Sequence, residues 1–113
     1  MKQLSLLLLA LAIALPSMAS RREADLLFRE AERCQRQAEN YRREAERAKA
    51  EAEHNLQSAM TSIRYNDVSK ARSYTSRANS AFSRLDSKLR YQKDYERKAA
   101  DYRRRAENEL RKP

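Results

Sequence analysis

An all-α fold is predicted, with two long helices forming an antiparallel, alanine-rich coiled-coil hairpin after a cleaved signal peptide. Three features predict it. Six alanines recur every seven residues, at Ala24, Ala31, Ala38, Ala45, Ala52 and Ala59. No glycine occurs anywhere, and the prolines are Pro16 and Pro113. The seven-residue phase breaks once, at Tyr65-Asn66-Asp67-Val68. An apolar heptad keeps one stripe of a helix turned toward a partner helix. Between Ser17 and Lys112 no residue type breaks a helix outright, whereas a sheet of this size needs glycine- or proline-rich turns. Tryptophan is absent and phenylalanine occurs twice, which argues against a large globular core.

The first nineteen residues read as an export signal. Lys2 supplies a positive start, Leu4 to Leu15 is apolar but for Ser5, and Ser17-Met18-Ala19 places small residues before a cut ahead of Ser20. The apolar run falls short of the about 20 residues that span a bilayer. The competing reading is an uncleaved membrane anchor. Secretion or periplasmic export is the expectation, and the single cysteine, Cys34, then has no partner within its own chain. It is either a buried small hydrophobe on the seam, the favoured reading, or one half of an intermolecular disulfide.

With the six alanines at heptad position a, position d reads Leu27, Cys34, Tyr41, Ala48, Asn55 and Ser62. Positions g and b on either side are mostly acidic, including Glu23, Glu30, Glu44 and Glu51 at g. A first helix over about 21–64 follows. Asn66 or Asp67 can cap a second, because a short side-chain oxygen accepts from the exposed N–H groups of a first turn. Tyr65 to Ala71 resembles the helix–helix turn common in helical-repeat proteins, which implies a hairpin and nothing more. After a turn at about 65–68, a second helix over about 69–112 has Ala71, Ala78, Leu85, Gln92, Ala99 and Ala106 at a. Its d row is Tyr74, Ala81, Lys88, Tyr95, Tyr102 and Glu109, and its g row is mainly basic.

Acidic g residues on one helix and basic g residues on the other suit each other across an antiparallel seam. Folding at Asn66-Asp67 sets Ala31 against Tyr102, Ala38 against Tyr95, Ala48 against Leu85 and Ala52 against Ala81. It also pairs Glu51 with Arg84 and Glu30 with Arg105. A register one heptad shorter, folding near Ile63, pairs Glu51 with Arg77 and Glu44 with Arg84. Exposed ion pairs contribute only about 0–1 kcal/mol each, so the turn residues decide for the longer register. Helices of about 44 residues, roughly 66 Å at 1.5 Å per residue, are thinly stabilised by alanine alone. Dimerisation into a four-helix bundle or fraying of the open end is expected.

Chemistry-bearing constellations are scarce. Glu51-Ala52-Glu53-His54 holds the Glu-x-x-His spacing of di-iron bundles, but such sites need two copies and His54 is the only histidine. No catalytic or metal-binding residue, cofactor or small-molecule substrate is expected, and an enzyme is the least favoured class. Two outward stripes remain. Ser69, Ser73, Ser76, Ser80, Ser83 and Ser87, at positions c and f, form a candidate docking face for another helix. Arg90, Arg97, Arg104 and Arg111 at f, with Arg105 beside them, form a candidate polyanion-binding face. Residues 21–64 carry ten basic and nine acidic side chains, and residues 65–113 carry fourteen and seven, so the excess of the chain's +9 charge lies in the second half.

The leading functional expectation is an exported, non-enzymatic structural or interaction protein. Its partner would be another envelope or secreted protein, with a homodimer as a further possibility. The alternative is a basic protein that binds lipopolysaccharide, anionic lipid or nucleic acid by counterion release. A weaker alternative is a periplasmic holdase-type chaperone, set back by an expected lack of exposed apolar surface.

Overall fold

The computed structural model describes residues 17–112. Two long helices, α1 over Met18–Arg64 and α2 over Val68–Arg111, pack against each other as a helical hairpin. The expected export signal falls chiefly on residues 1–16, outside the described residues, and α1 begins at Met18, inside its last three positions. Ser17 caps α1, its Oγ accepting from the Ser20 N–H at 3.0 Å, the bond expected of an N-cap serine. A cut ahead of Ser20 would part that cap from its helix.

Burial follows the heptad closely. Every buried apolar residue, from Ala24 to Ala106, sits at position a or d of its helix, and twelve of these thirteen are alanine. Ala52, Ala78, Ala81, Ala99 and Ala106 are fully excluded from solvent. Among the described residues no large side chain is fully buried. The seam therefore gains from close backbone approach and from many small contacts, since burial scales with apolar area at about 25 cal/mol per Å². Cys34 is buried on this seam as a free thiol, so a bridge to another chain requires the seam to open. Asn55 and Ser62 are buried polar residues at d, and each donates to a carbonyl one turn earlier, Asn55 to Glu51 and Ser62 to Ser58.

Two structural units are distinguished, Arg36–Tyr95 and Met1–Gln35 with Glu96–Pro113. The first carries the turn. There Asn66 takes φ of 58°, a left-handed conformation that asparagine tolerates better than most residues. The Asn66 N–H donates to the Ile63 carbonyl at 3.0 Å and the Asp67 N–H to the Ser62 carbonyl at 2.8 Å. This pair of bonds is the Schellman closure of a helix. Asp67 then opens α2, its Oδ1 accepting from the Lys70 N–H at 3.0 Å. Consecutive residues thus divide two tasks: Asn66 ends α1 and Asp67 starts α2.

Within the same unit Arg84 meets Glu51 at 3.0 Å, the pair set by folding at Asn66-Asp67 and not by the shorter register. The companion pair expected in the other unit, Glu30 with Arg105, does not form. Glu30 lies 3.3 Å from Arg33 and Arg105 lies 3.9 Å from Asp101. Each of these two residues finds its partner one turn away on its own helix, at the spacing where side chains are neighbours.

Two predictions follow from the seam and the turn. Ala52→Leu forces a large side chain between Ala52 and the opposing helix and should lower stability by about 1–3 kcal/mol, read as a reduced urea midpoint. Asp67→Ala should cost about 1 kcal/mol through loss of the cap, while Asn66→Gly, which relieves the positive φ, should not lower the midpoint.

Candidate functional site

The unit Arg36–Tyr95 presents two different long edges, because the heptad places e residues along one side of the seam and g residues along the other. Along the e edge, Leu56 and Ile63 on α1 run beside Val68, Phe82 and Leu89 on α2, with Met60 next to them, and all six are exposed. Ile63 and Val68, 63% and 60% exposed, help line an open groove of about 480 Å³ together with Ala71, Arg72, Thr75 and Ser76. The expected lack of exposed apolar surface is thus corrected. The seam buries positions a and d only, and alanine there leaves no second layer to cover the larger e side chains.

The g edge is polar. Lys88, a seam residue of α2, reaches out to Glu44, its Nζ 2.8 Å from Oε2, and lies 5.5 Å from the Tyr41 ring centre. Glu44 Oε2 is shielded from water yet makes no aligned hydrogen bond, so the contact is an ion pair by distance rather than by angle. The Glu44 carboxylate at hydrogen-bonding distance raises Lys88 above the ordinary lysine value, against the opposing pull of burial. Tyr41 also meets two tyrosines of α2, Tyr91 at 5.2 Å and Tyr95 at 5.6 Å between ring centres. A cleft of about 340 Å³ opens beside this group, lined by Gln37, Asn40, Arg43 and Arg47 together with Tyr41, Glu44 and Lys88. Nearer the turn, a second open cleft of about 470 Å³ holds His54, Tyr65, Asp67 and Tyr74.

All six serines of the expected docking face, Ser69, Ser73, Ser76, Ser80, Ser83 and Ser87, are exposed along α2 within this unit. Ser76 alone among them borders the apolar groove. Arg90, in the same unit, is exposed but held by Asp86 at 2.7 Å. In the other unit Arg97, Arg104, Arg105 and Arg111 are exposed. Arg104 pairs with Asp101 at 2.6 Å, and Arg105 lies 5.7 Å from the Tyr102 ring centre. Arg97 and Arg111 have no ion pair among the described residues. Local acids therefore take up three of the five guanidinium groups in the expected polyanion stripe.

Arg43 and Arg47 were not among the expected site residues. A signal exists for Arg43: Arg22, Arg29, Arg36 and Arg43 recur every seven residues on the outer face of α1, whereas Arg47 lies off that row. The acidic b and g rows on the same helix mask it in any count of net charge. Among the described residues no three metal-ligating side chains converge, and no helix is long and apolar enough to cross a membrane. Compared with known proteins, the chain matches no family model, no curated protein and no solved structure.

The raised Lys88 value fixes the sign of one pH effect. Its stabilising contribution is fully present below the ordinary lysine value of 10.5 and is lost as pH rises through the higher folded value. The stability difference between the native chain and Lys88→Met, from urea unfolding, should stay level through neutral pH and shift against the native chain only in the strongly alkaline range.

Proposed function

We propose that this chain is an exported, non-enzymatic interaction module. It docks an amphipathic helical segment of another envelope or secreted protein on its e edge beside the turn. The observation that carries this reading is the cluster of Leu56, Met60, Ile63, Val68 and Phe82, exposed together on one side of the unit Arg36–Tyr95. Exposed apolar surface rimmed by polar residues marks sites of association. A groove running beside a helix offers a channel into which the apolar stripe of a further helix can settle.

The charge around the groove specifies the partner more closely. Arg64 and Arg72 beside the turn have no ion pair among the described residues, whereas the acids near this edge are engaged, Glu53 by Lys49 at 4.0 Å and Asp86 by Arg90. A partner helix with acidic residues flanking its apolar stripe complements this rim. The serine row gives the α2 side of the groove a low, hydrogen-bonding shoulder at Ser76, which favours close approach. The antiparallel coiled-coil frame holds both e rows in place. Export itself rests on the N-terminal segment outside the described residues.

Synthetic helices with one apolar stripe and either acidic or basic flanks test the reading by fluorescence anisotropy. The acidic-flanked peptide should bind at least tenfold tighter. Ile63→Glu with Phe82→Glu, both at exposed positions, should abolish binding while leaving helicity intact. Equal capture of any apolar peptide, or of unfolded protein, would favour the holdase reading. A chain whose sedimentation shows a dimer that those two substitutions dissolve would make a second copy the occupant.

A further inference from the structure

The g-edge cleft stands apart from the apolar groove and raises a separate question of charge. Along α1, Arg42 is held by Glu39 at 3.0 Å and by Glu46 at 3.7 Å, and Arg29 and Arg33 are held by Asp25 and Glu30. Across the seam, Glu51 is taken by Arg84 and Glu44 by Lys88. The acids that could compensate Arg43 and Arg47 are therefore already engaged, and neither arginine has an ion pair among the described residues. The two lie four residues apart and line the same cleft. Side chains at that spacing are neighbours on a helix, and two like charges there cost the helix stability.

Asn40 and Gln37 continue the same strip of α1 and also line the cleft, adding amide donors one and two turns before the arginines. Lys88 stands at the inner wall, its charge balanced by Glu44, with Tyr41 beneath. The cleft thus holds an uncompensated charge of +2 from Arg43 and Arg47, and planar N–H forks suited to oxygens that accept two bonds at once. Its volume of about 340 Å³ exceeds that of a single tetrahedral ion and leaves room for the group to which one is attached.

We propose that this cleft binds a tetrahedral oxyanion, a phosphate or sulfate group, between the guanidinium groups of Arg43 and Arg47. Asn40 and Gln37 donate further hydrogen bonds, and Lys88 keeps Glu44 from repelling the ligand. The site lies on a different helix from the expected arginine stripe at Arg90 to Arg111, and it does not depend on the apolar groove.

Titration of the isotope-labelled full chain with inorganic phosphate, and separately with inorganic sulfate, tests this by NMR. Saturable shifts should cluster at residues 37–47 and around Lys88. Arg43→Ala with Arg47→Ala should weaken binding at least tenfold with helicity unchanged, and Arg43→Lys with Arg47→Lys should restore only part of it, because an ammonium lacks the fork. Arg97→Ala with Arg111→Ala should leave binding as it was. A third arm uses vesicles of phosphatidylcholine with and without phosphatidic acid. Retention on the acidic vesicles through the same two arginines would show that the group is displayed on a surface, and retention on neither kind that it is taken up free. Absence of saturable shifts with both ions, undiminished binding by the Arg43/Arg47 variant, or equal loss in the Arg97/Arg111 variant would each overturn the assignment.

Discussion

Two helices pack along many turns most closely where the side chains at the buried positions of the facing stripe are small. The rest of the structure depends on that constraint. Alanine at nearly every buried apolar position sets the spacing and leaves no room for a thick core. Because the backbones are near, short reaches suffice to cross the seam, and Glu51 can meet Arg84 and Glu44 can meet Lys88. The same closeness explains the turn. A hairpin this tight must reverse direction within Tyr65-Asn66-Asp67, and the helix-closing and helix-opening bonds fall on adjacent residues.

A thin seam also decides what the surface looks like. In a bulkier bundle the e and g residues are drawn partly into the core. Here they remain outside, and the two edges of the turn-bearing unit acquire separate characters. One is apolar, with Ile63, Val68 and Phe82 uncovered. The other gathers tyrosines, ion pairs and the free arginines of the g-edge cleft. An ion pair between exposed groups adds little stability, so the charged edge contributes little to holding the helices together.

The heptad made the buried positions of the seam legible, since a and d assignments need only the sequence period and every buried apolar residue falls on one of them. The turn was legible in its residue types but not in their division of labour. Either Asn66 or Asp67 can cap, and only the positive φ at Asn66 assigns one residue to each helix. Ion pairing was legible for Glu51, which meets Arg84 across the seam, and misread for Glu30, which pairs with Arg33 on its own helix. The apolar edge was missed for a related reason. Whether an e residue such as Leu56, Ile63 or Phe82 is covered depends on the bulk of its neighbours, and alanine covers little. The arginines at 43 and 47 were hidden because net charge averages over faces that point in different directions.

A fold held by many small contacts gives bound partners unusual leverage. Stability gained from a ligand grows as RT ln(1 + [L]/Kd), about 2.7 kcal/mol at a hundredfold excess over Kd. In a large globular core that sum is a modest addition. In a hairpin whose buried side chains are mostly single methyl groups, it is of the same order as losing several seam contacts at about 0.8 kcal/mol per buried carbon. An occupant of the e edge would act on both helices, because that edge is built from residues of α1 and α2. A partner of the kind proposed for that edge would couple binding to folding, because it would supply lateral contacts that a seam of small side chains lacks.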